Sequence, residues 1–415
     1  MNNSARHYES LDGCRGICAC LVAFFHFRAL FHVSVNSHIG KLPIITNAWL
    51  AVDFFFVLSG FVIAANYQDR LVSRTVRVRD FLILRLGRLY PLHLATLILM
   101  VGLVIFFHYG SFGAAHLELS ANDATIPGFV ANLFLIQGLH TLPQGTWNHP
   151  SWSISTEVAT YLVFALSWHY LQRYTWILIV ITILLAPPLL LILSGDLAVT
   201  FDWGFIRSML GFSLGALAFN VTQWGPSARL LAKLSRLESS IAELFIGGIT
   251  IAFVCFVGVT PLSIASPFLF TGVVMLFSQE NGIITPLLRQ SPMRALGQWS
   301  YSIYMLHYPL QSAMMYTAVW MGTHGWLSLF STATNAQGET EAVLGRSPWV
   351  GDGVNVLMML LLLILSAITY RRIEEPWRRR SRGWVRRFDS ARSDRIRDAL
   401  TDTPWHPAET GKASQ

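Results

Sequence analysis

The chain is poor in charge: only 13% of its 415 residues are Asp, Glu, Lys or Arg, against about 25% in ordinary globular domains. That scarcity, with 53% hydrophobic residues and a mean hydropathy of +0.47, excludes a water-soluble enzyme and points to a polytopic membrane protein. Cysteine is scarce as well. Cys14, Cys18, Cys20 and Cys255 lie in or beside apolar runs, and none stands at a zinc-ligand spacing. They read as packing residues, with neither a disulfide framework nor a metal site. Lys and Arg are missing altogether between Tyr109 and Ser151. They crowd instead into Arg70–Arg88 and Arg371–Arg397. A net charge of +7 with that distribution reflects the positive-inside rule, and it argues against nucleic acid as a partner. The first apolar run has no small-residue cleavage site and reads as a retained helix.

Runs long enough to span occur near 17–35, 48–67, 89–109, 152–170, 175–194, 203–220, 241–259, 264–280, 299–321 and 354–371. The pair around Pro261 is the least sharply separated. The stretch 126–139 is apolar but short, which suits an interfacial or re-entrant segment. The expected fold is therefore all-α, with about ten transmembrane helices and both termini in the cytoplasm. Residues 1–377 form the membrane domain, and 378–415 a basic cytoplasmic tail that meets anionic headgroups or stays disordered.

Ionisable groups inside such runs are costly and mark substrate or proton pathways. Arg15 and His26 are eleven residues apart, which on a helix is three turns plus about 20°, so they share a face about 16 Å apart along the axis. Ala19, Val22 and Ala23 lie between them, leaving a groove of small side chains. A neutral imidazole near mid-membrane suits a general base. Asp12 stands one turn before Arg15, as an N-cap or ion-pair partner. Arg85 and Arg88 share a face, and two guanidinium forks at the cytoplasmic rim suit a polyanion such as a pyrophosphate. Asp53 lies in an aromatic run, where a structural partner such as Arg28 or Arg207 is the plain reading. Ser153, Glu157 and Tyr161 make a polar stripe at the outer end of their helix, suited to a hydroxylated acceptor. Ser300, Tyr304 and His307 make another, which helix–helix hydrogen bonding would also explain.

Six pieces in order resemble the membrane acyltransferase-3 family of bacterial O-acyltransferases. They are Leu11-Asp12-Gly13-Cys14-Arg15-Gly16 with the register to His26, Val52-Asp53-Phe54-Phe55-Phe56-Val57-Leu58-Ser59-Gly60-Phe61, and Arg85-Leu86-Gly87-Arg88-Leu89-Tyr90-Pro91. Trp152-Ser153-Ile154-Ser155-Thr156-Glu157, Leu296-Gly297-Gln298-Trp299-Ser300-Tyr301 running on to His307, and Ile373-Glu374-Glu375-Pro376 complete the set. Val158 follows Glu157 where many members carry a second acid.

The resemblance implies transfer of an acyl group, most often acetyl, from cytoplasmic acyl-coenzyme A (acetyl-CoA as co-substrate, no metal). The acceptor would be a hydroxyl of an envelope or exported glycan, at the bacterial cytoplasmic (inner) membrane. It maps an Arg-x10-His register onto Arg15 and His26 and an arginine pair onto Arg85 and Arg88; with the polar stripes above, His26, Asp12 and Glu157 form the expected catalytic set, and Arg15, Arg85, Arg88, Ser300, Tyr304 and His307 surround the donor. The partners are then acyl-coenzyme A, the glycan acceptor and the lipid bilayer. A secondary transporter for a sugar or organic anion is the alternative, against which stands the lack of repeated halves. The charge pattern sets a topological test. Reporters fused after Ser120 and Gln337 should read as outside and one after Ser390 as inside; a cytoplasmic signal at Ser120 would overturn the orientation.

Overall fold

The computed structural model describes residues 7–30, 33–109, 124–325, 330–334 and 340–401, with the backbone alone at 30, 33, 108–109, 323, 333–334, 340–342 and 389–401. Ser120 and Gln337, chosen above for reporters, lie outside these residues, as does the end of the tail from 402.

Among the described residues thirteen helices have eight residues or more, one of them the short Gly225–Lys233; the other twelve are used below. They are α1 (Glu9–Phe27), α2 (Ala51–Val72), α3 (Val78–Tyr109), α4 (Ile126–Leu133), α5 (Trp152–Leu166), α6 (Thr175–Leu193), α7 (Gly204–Gln223), α8 (Arg236–Val257), α9 (Ser266–Phe277), α10 (Ser291–Thr323), α11 (Pro348–Thr369) and α12 (Glu375–Thr401). Among the described residues, seven helical stretches are long and apolar enough to cross a membrane. The departures from the sequence reading have physical reasons. The expected break at 171–174 is a π-turn and a 3-10 turn, so His149–Leu193 forms one nearly continuous stretch. The helix α9 has only 12 residues, and α10 is polar along one side. The split near Pro261 is real: Gly258 takes φ +57° and a 3-10 turn over Pro261–Ala265 follows.

The first helix also shifts. The run expected at 17–35 is helical from Glu9 to Phe27. It starts early because Ser10 Oγ donates to the Phe277 carbonyl at 2.6 Å and Arg289 Nε reaches Glu9 at 3.0 Å. It stops at Phe27 because the chain turns into strands. A four-stranded sheet, outside the all-helical expectation, joins β1 (Ala29–Leu30), β2 (Val33–Val35), β3 (Phe330–Thr334) and β4 (Thr340–Leu344) in the order β1-β2-β4-β3. The β2–β4 pairing is parallel, with Ser34 opposite Val343. His26 therefore sits in the last turn of α1, beside this sheet, and not midway along the helix.

The interior is built on glycine contacts. A side chain at Gly215 would meet the Val57 carbonyl and one at Gly60 the Phe212 carbonyl, so α2 and α7 touch backbone to backbone, as small residues allow in membranes. The outward faces of α6, α8 and α11 carry Ile192, Phe256 and Ile364, all exposed. An apolar exterior of that extent is what a bilayer covers.

Asp53 is fully buried and forks onto Arg207, with Oδ1 to Nε and Oδ2 to Nη2 both at 2.8 Å. Arg207 also donates to the carbonyls of Val199 and Trp49, and its guanidinium lies over the Trp49 and Trp152 rings. Of the two partners considered, Arg207 holds Asp53, and the pair ties α2 to α7. Removing one partner leaves an uncompensated buried charge, which costs about 3–5 kcal/mol. Asp53→Ala should accordingly lower the thermal unfolding temperature of the purified protein sharply, and Asp53→Leu with Arg207→Met should recover much of the loss. An unchanged unfolding temperature in Asp53→Ala would contradict this structural assignment.

Candidate active site

Where α1 crosses α10, a side chain at Gly16 would strike Leu296 and the Gly297 nitrogen, and one at Gly297 the Asp12 carbonyl. The two backbones are therefore in direct contact. That contact brings the Gly297 carbonyl to Arg15, which donates to it from Nη2 at 2.6 Å and from Nε at 3.2 Å. Ser300 Oγ donates to the same carbonyl at 2.9 Å. Asp12 stands behind Arg15, 3.0 Å from its Nη2, and so orients the guanidinium rather than facing open space.

Arg15 is on the wall of a cavity of about 820 Å³, counted with its open mouth. Six of the nine residues expected in the catalytic and donor sets line it, Arg15, Arg85, Arg88, Glu157, Ser300 and Tyr304, and Ser153 and Tyr161 of the polar stripe line it as well. They arrive on four helices, α1, α3, α5 and α10. The Nε atoms of Arg85 and Arg88 are buried and have no hydrogen-bond partner among the described residues. The Arg85 guanidinium lies 4.6 Å above the centre of the Tyr67 ring. Burying such donors without partners is costly.

Glu157 stands on the same wall. It accepts from Ser59 Oγ at 2.5 Å and from the Tyr161 hydroxyl. It is also within electrostatic reach of Arg88. The stripe that spacing laid out for an acceptor therefore faces the arginine pair. Its third member, Ser153, bonds the Tyr304 hydroxyl at 2.7 Å.

His26 and His307 are not on the cavity wall. Their rings pair with each other, centroids 4.5 Å apart. His307 lies 5.6 Å from the Tyr304 ring and Tyr304 lies 6.1 Å from Phe55. A row of four rings thus runs from the cavity, which Phe55 and Tyr304 line, to His26. His26 Nδ1 contacts the Val22 carbonyl at 2.9 Å. A carbonyl only accepts, so the neutral ring keeps its proton on Nδ1 and presents Nε2 as a bare base. His26 is half-buried, with His149 within electrostatic reach. His307 is fully buried.

The groove expected along Ala19 and Ala23 is closed. Both are fully buried against Ile303 and Leu306 of α10, because the small side chains that suggested a channel are what lets α10 approach. A second cavity of about 730 Å³ is wholly apolar and lies between α1, α2, α8 and α9, with Cys14, Cys18, Phe54, Thr250 and Val273 on its walls.

Sequence reasoning assigned no role to Ser59, Tyr301 or Glu374. Tyr301 lines the cavity and donates to the Leu89 carbonyl at 2.5 Å. Its signal was the aromatic-rich stretch around Ser300, where spacing drew attention only to every fourth residue. Glu374 was visible only as part of a quoted motif.

No solved structure matches the chain. Among curated proteins, it is 35% identical to the acyltransferase MdmB of Streptomyces mycarofaciens over 175 residues, 40% of each chain. It is 33% identical to protein 2 in the picA locus of Rhizobium radiobacter over 164 residues, 37% of this chain and 79% of that one. It is 26% identical to the peptidoglycan O-acetyltransferase OatA of Listeria monocytogenes over 340 residues, 74% of this chain and 50% of that one. The matches thus span about half or less of two of these three relatives. The family model for the acyltransferase domain matches residues 8–336, a span that takes in the α1–α10 crossing and every wall of the cavity described above. The chain belongs to the acyltransferase-3 family.

Proposed function

We propose that the protein is a membrane O-acyltransferase. It moves an acyl group, acetyl foremost, from cytoplasmic acyl-coenzyme A to a hydroxyl of a cell-surface or exported glycan, at the cytoplasmic membrane of a bacterium. The observation that carries the reading is the buried wall where Arg15, Arg85 and Arg88 converge with two guanidinium nitrogens lacking partners. Guanidinium forks suit phosphates, and a dry site strengthens the attraction. The adenosine diphosphate end of the donor would sit there, with its thiol arm running past Ser59 and Ser153 toward Tyr304.

In this reading all ten apolar runs cross, both termini are cytoplasmic, and 1–377 is the acyltransferase domain with 378–415 a basic extension. Arg15 then lies near the cytoplasmic end of α1 and His26 at its outer end. The acceptor hydroxyl meets His26 from the outer side. His26 Nε2 takes the hydroxyl proton, the oxygen attacks the thioester carbonyl, the carbon–sulfur bond breaks, and the departing thiolate is protonated. Proton transfer and fixed orientation together supply the acceleration. For the acyl carbon to reach His26, the Tyr304–His307 rings must part or tilt, so ring movement is built into the proposal. Glu157, beside Arg88, belongs to the donor side and limits the net positive charge there.

The test is acyl transfer and coenzyme A binding by the purified full-length protein in liposomes. Arg85→Ala and Arg88→Ala should each weaken coenzyme A binding by about 10- to 150-fold, equivalent to about 1.5–3 kcal/mol for a hydrogen bond to a charged group. His26→Ala should abolish transfer while leaving that affinity nearly unchanged. Unchanged affinity in both arginine variants, or full turnover in His26→Ala, would overturn the assignment.

A further inference from the structure

The helix α10 carries Pro309 in its interior, two residues past His307. Proline has no N–H, so the carbonyl four residues earlier loses its helical donor, and the proline ring crowds that same carbonyl. Here that carbonyl belongs to Met305, which is fully buried. A buried carbonyl without a donor is costly. The donor comes from outside the helix. Asn148 Nδ2 donates to the Met305 carbonyl at 3.1 Å.

Asn148 is 1% exposed and stands just before the turn His149–Ser151 that leads into α5. Its Nδ2 also reaches Thr96 Oγ1 of α3 at 3.3 Å, and Thr96 passes its own proton to the His93 carbonyl at 2.9 Å. Both amide hydrogens are therefore used, and the Met305 carbonyl, which only accepts, fixes which way the amide faces. Asn148 Oδ1 is buried without a partner among the described residues. The side chain is placed for what it donates.

The residues after Asn148 hold the same stretch of α10. The Pro150 carbonyl accepts from the Tyr304 hydroxyl at 3.0 Å, and Ser153 Oγ bonds that hydroxyl at 2.7 Å. The His149 ring lies 6.4 Å from that of Tyr308. Beyond Pro309 the helix is tied elsewhere, since Gln311 Nε2 donates to the Ala29 carbonyl of β1 at 2.7 Å. His307 lies between these two clamps, in the turn that lacks its backbone bond. Neither of its ring nitrogens has a hydrogen-bond partner among the described residues. The ring therefore takes its direction from the backbone that carries it and from packing.

We propose that Asn148 is a positioning residue for the histidine pair. By supplying the donor that Pro309 removes, it fixes this turn of α10, and with it the angle at which His307 meets His26. This rests on the reading of His26 as the base and adds the residue that holds its ring partner in place. Asn148 is not on the wall of the arginine cavity. Its effect falls on turnover, and donor binding is spared.

The experiment uses the full-length protein in nanodiscs. Turnover is read as thiol released from acetyl-coenzyme A with isolated envelope polysaccharide as acceptor, beside coenzyme A binding and thermal unfolding. Asn148→Leu keeps the bulk and removes the donor. It should lower turnover at saturating donor by about 10- to 100-fold, the scale of a misplaced group, and leave coenzyme A affinity and KM for the donor nearly unchanged. Its unfolding temperature should fall. Pro309→Ala returns an N–H to the Met305 carbonyl from within α10, so in the double variant most of that fall should disappear. Turnover should stay low there, because a regular turn carries His307 at a different angle. Should Asn148→Leu alone fail to fold, the double variant supplies the kinetic reading. Wild-type turnover in folded Asn148→Leu or in the double variant overturns the proposal, as do additive unfolding shifts or a loss of coenzyme A affinity equal to the loss of turnover. If His26→Ala turns over normally, the base reading falls, and the unfolding cycle alone decides whether Asn148 serves the freed carbonyl.

Discussion

The direct contact of α1 with α10 at Gly16 and Gly297 governs the rest of the site. It sets two meetings at once. At one end the Gly297 carbonyl receives Arg15 and Ser300. At the other, His26 faces His307. Eleven residues separate the two on α1 and ten on α10, so both helices measure nearly the same axial length, about 15–16 Å at 1.5 Å per residue. A paired ruler of this kind separates the arginine end from the paired histidines by a fixed distance. Bulk at either glycine would push the helices apart and spoil both meetings together.

The second constraint is charge in an apolar setting. Arg15, Arg85 and Arg88 sit beneath a surface of exposed Ile, Leu and Phe. Asp12 of α1 pairs with Arg15 at 3.0 Å, and Glu157 of α5 stands on the same wall as Arg88. The carboxylates steady the cations without satisfying every donor, since the Nε atoms of Arg85 and Arg88 remain open. The Asp53–Arg207 pair is the contrast. There both carboxylate oxygens and all three guanidinium nitrogens are engaged, and the result is a structural pin rather than a receptor.

Much of this was legible in the sequence. The Arg15–His26 register survives because it depends only on helix geometry. The pairing of Arg85 with Arg88, and of Ser300 with Tyr304, follows from spacing within single helices. What could not be read were relations between helices. Small residues at Ala19 and Ala23 announce a close approach, but a channel and a packed partner helix leave the same pattern, and here Ile303 fills the space. The position of His26 along its helix was not legible, because α1 starts at Glu9, held there by Phe277 and Arg289, which are distant in sequence. Glu157 pointed to a face, and only the fold decides that the face is shared with Arg88.

The central claim is that the donor binds in the arginine-lined cavity with its acyl end directed to the paired histidines. The most direct measurement is photo-crosslinking of the full-length protein in membranes with an acyl-coenzyme A that carries a diazirine in its acyl chain, followed by peptide mapping. The account predicts label on α10 around Tyr304–His307 and on α1 around His26, competed away by coenzyme A. Label confined to the apolar cavity around Thr250 and Val273, or insensitive to coenzyme A, would contradict it.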